Sequence, residues 1–257
     1  MSYLTLNNVS HHYFSKKGFT KALSGVSFSM EEGEFISIIG PSGCGKSTVL
    51  SLIAGILKHS SGEILFNEQP IYQSELEIGY MLQQDYLFPW KTIMENMLIG
   101  PKVKKLNLKE AKQTALKLLD EVRLKDVADS YPDSLSGGMR QRVALVRTLM
   151  TNPNILLFDE PFSALDYQTK LRLENSVFEL LKKHHKTAIL VTHDIGEAIS
   201  MSDRILLMGQ NPGTIKKTFE VPIEIRNEIP FRVRRHHKYQ GLFDKIWKEL
   251  NKNETVS

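Results

Sequence analysis

The sequence predicts an α/β fold with a mostly parallel sheet, on three observations. Short apolar segments typical of strands alternate along the chain with segments of helical periodicity. Parallel strands need long crossover connections, which helices usually provide, so this alternation favours a parallel sheet covered on both faces. The 257 residues are enough for one to two domains with a substantial core, and 41% hydrophobic with 24% charged residues excludes a disordered or collagen-like chain.

The N-terminal part predicts short strands followed by a strand, a turn and a helix. Residues 4–6 and 26–28 alternate apolar and polar side chains, which is typical of strands with one buried face. Residues 35–39 form a β-rich apolar run that ends at Gly40, as a buried strand entering a turn does. Helical spacing of apolar residues follows over residues 46–57.

The middle of the chain predicts a helical insert in this sheet. Residues 108–150 contain two apolar stripes at helical spacing and little strand signal. Further strands are predicted at 78–82, 155–158, 188–191 and 205–208, and further helices at 173–181 and 197–201. Three prolines and the basic run 232–238 predict a loosely attached C-terminal tail that ends in a short helix.

Charge and cysteine content limit the class of protein. A formal charge of +4 is too small to indicate nucleic-acid binding by itself. The single cysteine, Cys44, excludes an internal disulfide and fits a reducing compartment. The sequence has no apolar run of the ~18 residues that cross a bilayer, and its start lacks the features of a signal peptide. We therefore expect a soluble, cytoplasmic protein.

One segment predicts a phosphate-binding loop. Gly40-Pro41-Ser42-Gly43-Cys44-Gly45-Lys46-Ser47-Thr48 matches the P-loop pattern, and it lies between a predicted strand and a predicted helix, as the pattern requires. The glycines let backbone N–H groups turn toward one centre, and the helix N-terminus adds positive potential. We expect Lys46 to reach the β and γ phosphates and Ser47 to ligate Mg²⁺.

A second segment predicts the acidic partner of this loop. The strand at 155–158 runs into Asp159 and Glu160. Together with a P-loop, Asp159 is expected to hold the Mg²⁺ shell, and Glu160 lies where it could polarise water for attack on the γ-phosphate. The predicted chemistry is nucleoside triphosphate hydrolysis.

A third segment predicts another anion site. Leu135-Ser136-Gly137-Gly138-Met139-Arg140-Gln141-Arg142 places a glycine pair at the start of a helix with Ser136 as its N-cap, and it has no P-loop lysine. The chain thus holds two different phosphate cradles and one acidic strand end. Two cradles with one acidic strand end indicate a pair of chains in which each chain completes the other's site.

With these three segments, the sequence resembles the ATP-binding subunits of ABC transporters over about residues 3–225. Residues 135–139 resemble the family's signature motif, with Met139 where glutamine is commoner, and 163–166 (Ser-Ala-Leu-Asp) its D-loop. The resemblance implies a P-loop NTPase (RecA-like) core with an antiparallel β subdomain, an inserted helical subdomain at about 87–150, and a basic, helical C-terminal tail at 226–257.

The resemblance also implies roles for single residues. Asp159 and Glu160 match the Walker B aspartate and the catalytic glutamate, and His193 matches the switch histidine that senses the γ-phosphate. Gln83 matches the Q-loop glutamine, a Mg²⁺ ligand, with Gln84 as the alternative. Tyr13 matches the aromatic residue that stacks on adenine, with His12 and Phe14 as alternatives. The nucleotide-binding set is Tyr13, the P-loop residues 40–48, Gln83, Ser136, Gly137, Gly138 and Asp166, and the implied cofactors are ATP and Mg²⁺.

The segment at 83–90 (Gln-Gln-Asp-Tyr-Leu-Phe-Pro-Trp) resembles that of importer subunits for nitrate, sulfonate, taurine and related small anions or pyrimidine precursors. This resemblance implies an ATP-driven uptake subunit at the cytoplasmic face of the membrane. Its partners would be a second copy of itself, separate permease subunits and, indirectly, an extracytoplasmic solute-binding protein, with no nucleic acid. The alternatives are an exporter ATPase and a soluble ABC ATPase working on ribosomes or DNA.

Overall fold

The computed structural model describes residues 2–15 and 18–252. The chain divides into two compact units, one made of Met1–Leu76 with Lys186–Ser257 and the other of Glu77–His185. We call them the first and the second unit. Among the described residues, none of the helices has the length and apolar character needed to cross a membrane.

The helices and strands are as follows, in chain order. The first unit begins with β1 (Leu4–Ser15), β2 (Gly18–Met30), β3 (Phe35–Ile39), α1 (Lys46–Ile53), β4 (Ser61–Phe66) and β5 (Gln69–Pro70). The second unit holds β6 (Ile78–Met81), α2 (Ile93–Met97), α3 (Ile99–Val103), α4 (Leu108–Glu121), α5 (Gly137–Leu149), β7 (Ile155–Asp159) and α6 (Tyr167–Lys183). The first unit ends with β8 (Thr187–Val191), α7 (Ile195–Met201), β9 (Arg204–Gly209), β10 (Thr214–Glu220), α8 (Ile223–Arg226), α9 (Pro230–Val233) and α10 (His237–Asn251).

The first unit contains an antiparallel sheet and a mostly parallel one. The antiparallel sheet has the order β2-β1-β4-β5. In the other, β3 pairs in parallel with β8 on one side and with β9 on the other, and β10 pairs antiparallel with β9. All residues of β3 and β8 are buried, as in central parallel strands covered on both faces. The predicted α/β fold class is thereby confirmed.

The C-terminal segment packs firmly within the first unit, against α7, so the expectation of a loosely attached tail is wrong. Val233, Leu242 and Ile246 are buried in one apolar cluster with Ile195 and Ile199 of α7. Burying a leucine or isoleucine side chain stabilises a fold by about 1.5–3 kcal/mol, which holds α10 in place. The spacing of Leu242 and Ile246, four residues apart on α10, puts both on one face of the helix.

The second unit pairs β6 with β7 in parallel, with Met81 opposite Phe158. Helices α2 to α5 cover residues 93–149 and include the two helices predicted between 108 and 150. The N-terminus of α2 is fixed by a capping box, in which Thr92 and Glu95 exchange side-chain to backbone hydrogen bonds. Because β6 and β7 are parallel, the residues that follow Met81 and Phe158 leave the strand pair at the same edge.

Candidate nucleotide-binding site

The loop between β3 and α1 has the close backbone approaches that only glycine permits. A Cβ atom at Gly40 would lie 2.6 Å from the backbone oxygen of Met208, and one at Gly45 would lie 2.6 Å from Cδ2 of Leu23. Gly45 also has a φ of 95°, in the left-handed region, immediately before α1 begins. The loop therefore turns sharply into the N-terminus of α1, as a phosphate cradle must.

Lys46 is held at this loop by two backbone oxygens. Its Nζ donates to the oxygen of Gly40 at 2.8 Å and to that of Pro41 at 3.1 Å. The first turn of α1 consists of Lys46, Ser47 and Thr48, so it carries only neutral or basic side chains and its N–H groups retain their attraction for an anion. The predicted P-loop residues thus lie together in one strand–loop–helix segment, from β3 to α1.

Cys44 is fully buried in the loop, and burial raises the pKa of its thiol although the nearby Lys46 opposes the shift. Because the thiolate is the reactive form, we expect maleimide to label Cys44 slowly at pH 7, with a rate that keeps rising with pH above the range where a free thiol levels off. Prebound Mg·ATP should slow the labelling further, because a bulky maleimide and the phosphates compete for the same loop. Mass spectrometry with and without ATP checks this, and equal rates would contradict the assigned position of the loop.

Tyr13 of β1 lies beside the end of the P-loop. Its Oη is 3.2 Å from Oγ1 of Thr48, within hydrogen-bond distance, and its ring packs edge-on against His11 at 4.7 Å. Neighbouring residues of a strand point to opposite faces. Phe14 is 82% exposed and stands opposite Phe19 of β2. Of the three aromatic candidates, the contact with the P-loop helix favours Tyr13.

His193 lies at the carboxyl edge of the parallel sheet, next to the P-loop strand. Ile38 of β3 pairs with Val191 of β8, and the N–H of Thr192 donates to the oxygen of Ile38 at 3.2 Å. His193 follows directly and is exposed. The P-loop begins at Gly40, only two residues beyond Ile38, so both predicted elements start from adjacent strand ends.

In the second unit, Asp159 is the last residue of β7, and Glu160 follows it. Oη of Tyr80 on β6 donates to Oδ2 of Asp159 at 3.3 Å. Glu160 has a φ of 49°, a left-handed conformation that costs a non-glycine residue about 1–2 kcal/mol. The oxygen of Glu160 accepts from the N–H and the Oγ of Ser163 at 3.3 and 2.9 Å, which holds it in this conformation. Strained residues of this kind cluster at functional sites.

Side chains of α5 hold the loop that contains Gln83. Nε2 of Gln141 donates to the oxygen of Gln83 at 2.8 Å. Arg147 donates to the oxygens of Asp85 and Tyr86, both at 2.7 Å. This role of Gln141 and Arg147 cannot be predicted from a local sequence pattern, because the contacts join residues far apart in the chain.

The second cradle begins α5. Oγ of Ser136 accepts from the N–H of Met139 at 3.4 Å and so caps the helix. A Cβ at Gly138 would lie 2.4 Å from Cγ2 of Thr169 on α6, whereas at Gly137 the nearest atom, Cδ2 of Leu165, is 3.8 Å away. Gly138 is therefore needed for close packing of α5 on α6, and Gly137 has room around it.

Asp166 is the N-cap of α6. Its Oδ1 accepts from the N–H groups of Gln168 at 3.1 Å and Thr169 at 3.0 Å. Hydrogen bonds from the side chain and the backbone of Thr169 lower the pKa of the Asp166 carboxyl, so it is ionised at neutral pH. Asp166 is exposed, and it lies close in sequence to Asp159 and Glu160.

A glycine-rich strand–loop–helix with its lysine, and a strand that ends in two acids, define a P-loop NTPase. The sequence profile described as ABC transporter matches residues 23–163, more than half of the chain. The chain therefore belongs to the ABC transporter family, as an ATP-binding subunit with ATPase activity.

Curated relatives cover nearly the whole chain. It is 56% identical over 254 residues to an uncharacterized ABC transporter ATP-binding protein, YtlC, of Bacillus subtilis, covering 99% of this chain and 98% of the relative. It is 37% identical over 248 residues to the aliphatic sulfonates import ATP-binding protein SsuB of Bacillus cereus, with coverages of 96% and 95%. It is 40% identical over 223 residues to the taurine import ATP-binding protein TauB of Roseobacter denitrificans, with coverages of 86% and 83%.

A solved structure has the same fold. The ATP-binding cassette MJ0796, in a dimeric post-hydrolysis state bound to ADP and Pi, matches with a TM-score of 0.74 and 33% identity, over 85% of this chain and 99% of that one. The P-loop NTPase fold predicted from the sequence is confirmed, as is the resemblance to the ABC transporter family.

Proposed function

We propose that the chain is the ATP-hydrolysing subunit of an importer for a small sulfonate, working through a separate permease. The observation that supports this is similarity to the sulfonate and taurine import subunits over more than four fifths of either chain. Nitrate and pyrimidine precursors are the alternative substrates. The transported solute does not touch this subunit, so its residues do not distinguish between them. An exporter ATPase and a nucleic-acid-associated ATPase are the alternatives that the experiment below separates.

ATP binding is assigned to the first unit. The P-loop wraps the phosphates, Lys46 offsets the charge on the β and γ phosphates, and Tyr13 stacks on the adenine. The second unit contributes Gln83 and the acidic pair. Ser47 carries a hydroxyl, Gln83 an amide oxygen and Asp159 a carboxylate, and each is a hard oxygen donor of the kind that fits Mg²⁺. When bound, the ion offsets charge on the phosphate oxygens.

Hydrolysis is assigned to three side chains. Glu160 takes a proton from the attacking water, and its backbone conformation is fixed by Ser163. Lys46 and His193 stabilise the charge that develops on the γ-phosphate oxygens. His193 is suited to this role because it is exposed, directly beyond a rigid, buried strand.

The second cradle implies a dimer. One chain has two predicted anion sites, the P-loop and the Ser136-Gly137-Gly138 helix start, and among its described strands that pair in parallel only β7 runs into two adjacent acids. In the proposed arrangement two chains meet head to tail, and each ATP lies between the P-loop of one chain and the cradle of the other. Asp166, at the N-terminus of α6, belongs to the same proposed interface. Closure on ATP and reopening after hydrolysis would switch the permease, at the cytoplasmic face of the membrane.

The permease contact is assigned to the turn before α2. Trp90 is 70% exposed and its ring lies 5.4 Å from that of Phe88, while Leu87 is buried. Asn96, itself fully buried, holds this turn by accepting from the N–H of Phe88 at 2.8 Å and donating to the oxygen of Lys91 at 3.1 Å. Leu87 therefore packs the turn, and the exposed aromatic pair is available to a helix of the permease.

We expect Trp90→Ala to release the subunit from membranes that contain the permease, with an affinity loss of at least about 30-fold, because aromatic anchors carry much of an interface's binding energy. Its melting temperature and ATP affinity should stay close to wild type. Leu87→Ala is the matched control and should cost about 2–5 kcal/mol of stability. A Trp90→Ala protein that melts early yet still co-purifies with the permease would contradict the assignment.

Import and its substrate class are tested in vesicles that contain this subunit and the membrane protein that co-purifies with it. A sulfonate-loaded binding protein added on the extracytoplasmic side should stimulate ATP turnover, while the same protein loaded with nitrate or left empty should not. Outward movement of solute without a binding protein would favour the exporter alternative. Stimulation by RNA or DNA in place of the permease would favour the nucleic-acid alternative.

A further inference from the structure

The C-terminal segment lies against the helix that follows His193. α7 begins at Ile195, and Ile195, Ala198 and Ile199 are buried in one cluster with Val233, Leu242 and Ile246 of α9 and α10. Tyr239 packs against the same cluster. The position of α7, and hence of the residues just before it, depends on contacts with α9 and α10.

The contact is closest at the first turn of α7. A Cβ atom on Gly196 would lie 2.9 Å from Oη of Tyr239, 3.0 Å from Oδ1 of Asp194 and 3.7 Å from Nε of Arg234. These three polar groups, two of them from the C-terminal segment, converge on the backbone of Gly196. Even one methyl group at this position would force Tyr239 or Asp194 to move.

The same turn fixes the backbone on both sides of His193. The N–H of Asp194 donates to Oγ1 of Thr192 at 3.0 Å, and that hydroxyl donates in turn to the buried carboxylate of Glu197. Oδ1 of Asp194 accepts from the N–H of Glu197 at 3.1 Å. Asp194 therefore belongs both to the ring of hydrogen bonds around His193 and to the group of atoms that meets Tyr239 and Arg234.

We propose that Tyr239 and Arg234 are positioning residues for His193, so that the C-terminal segment sets the rate of ATP hydrolysis through the first turn of α7. The inference rests on the proposed role of His193 in hydrolysis. It predicts that disturbing the contact at Gly196 lowers kcat while the KM for ATP is kept, since the P-loop, Lys46 and Tyr13 are left untouched.

The test is a double-mutant cycle on the full-length chain at a temperature well below its melting. Gly196→Ala should lower kcat at least about tenfold, since small misplacements of catalytic groups are costly, with ATP affinity within about twofold of wild type. Adding Tyr239→Phe removes the oxygen that meets the new methyl group and should recover most of the lost kcat. Wild-type kcat in Gly196→Ala, or a double variant no more active than the single one, would overturn the proposal.

A second pair of variants covers the case in which Gly196→Ala fails to fold. Tyr239→Ala should lower kcat without changing ATP affinity, whereas Trp247→Ala, on an exposed part of the same helix, should leave kcat within about twofold of wild type. Equal kcat in the two variants would overturn the proposal. His193→Ala distinguishes failure of this proposal from failure of the proposed role of His193. An active His193→Ala protein contradicts the role of His193 in hydrolysis. An inactive His193→Ala protein together with an unaffected Tyr239→Ala protein contradicts only the role of the C-terminal segment.

Discussion

Replacing Glu160 with glutamine should abolish steady-state hydrolysis while ATP binding is retained. Glutamine has the shape of glutamate without its basic oxygen, so the attacking water loses its proton acceptor, a loss of about 10²–10⁴-fold in turnover. The φ of 49° at this position is maintained by Ser163 contacts to the backbone oxygen, which the substitution leaves in place. Because the bound ATP is not consumed, the variant should accumulate as an ATP-bound dimer.

The measurement is phosphate release at saturating Mg·ATP, with gel filtration and light scattering for the dimer. Glu179→Gln, an exposed position on α6 in the same unit, is the matched control and should behave as wild type. Turnover near wild type in Glu160→Gln would contradict the assigned base. A species that stays monomeric with ATP bound would contradict the two-chain site.

Lys46→Ala should instead lose nucleotide affinity. The lysine is 7% exposed and lies over the oxygens of Gly40 and Pro41, so the substitution removes a buried charge at the centre of the cradle. Charge-assisted hydrogen bonds are worth about 1.5–3 kcal/mol, which corresponds to roughly a 10- to 150-fold higher Kd for ATP. The loss should be smaller for ADP, which lacks the γ-phosphate.

Binding is measured by calorimetry in buffers without Mg²⁺ and with it. Lys58→Ala, an exposed lysine of the same unit, controls for the loss of one positive charge and should leave the Kd within about twofold. A Lys46→Ala protein that binds ATP as tightly as wild type would mean that the loop does not hold the phosphates.

The parallel strands could be predicted because their sequences are apolar throughout. β3 lies at the predicted residues 35–39, and β7, β8 and β9 lie within a residue or two of the predicted bounds. β10 could not be predicted in this way, because only Phe219 of its seven residues is buried and an edge strand with polar side chains shows no alternation. α2 lies within the segment at about 87–150 for which a helical subdomain is expected, and the spacing of Thr92 and Glu95, that of a capping box, is a local signal for its start.

In the candidate site, too, local patterns could be predicted from the sequence and long-range contacts could not. The P-loop, the acidic strand end and the signature helix start are local patterns, so their candidate residues could be proposed from the sequence alone. The residues that hold them could not, because Gln141 and Arg147 reach Gln83 and Tyr86 across the second unit. In the C-terminal segment, the spacing of Leu242 and Ile246 indicates a buried helix face, whereas the prolines and basic residues before it are typical of a loosely attached tail.

The most direct test of the two-chain site is complementation between two inactive variants. Gly137→Asp should fold, because a side chain has room there and an acid suits the first turn of a helix, but its carboxylate should repel the partner's nucleotide. Lys46→Ala keeps an intact cradle and lacks a working P-loop. A mixed dimer then contains one site with both halves intact, and an equal mixture should regain about a quarter of wild-type turnover per chain.

Each variant alone should be inactive at every protein concentration, and a mixture of two independently prepared Lys46→Ala samples serves as the control. Recovery of turnover on mixing Lys46→Ala with Gly137→Asp is the result that the head-to-tail arrangement predicts. A mixture that stays as inactive as its two components would contradict it.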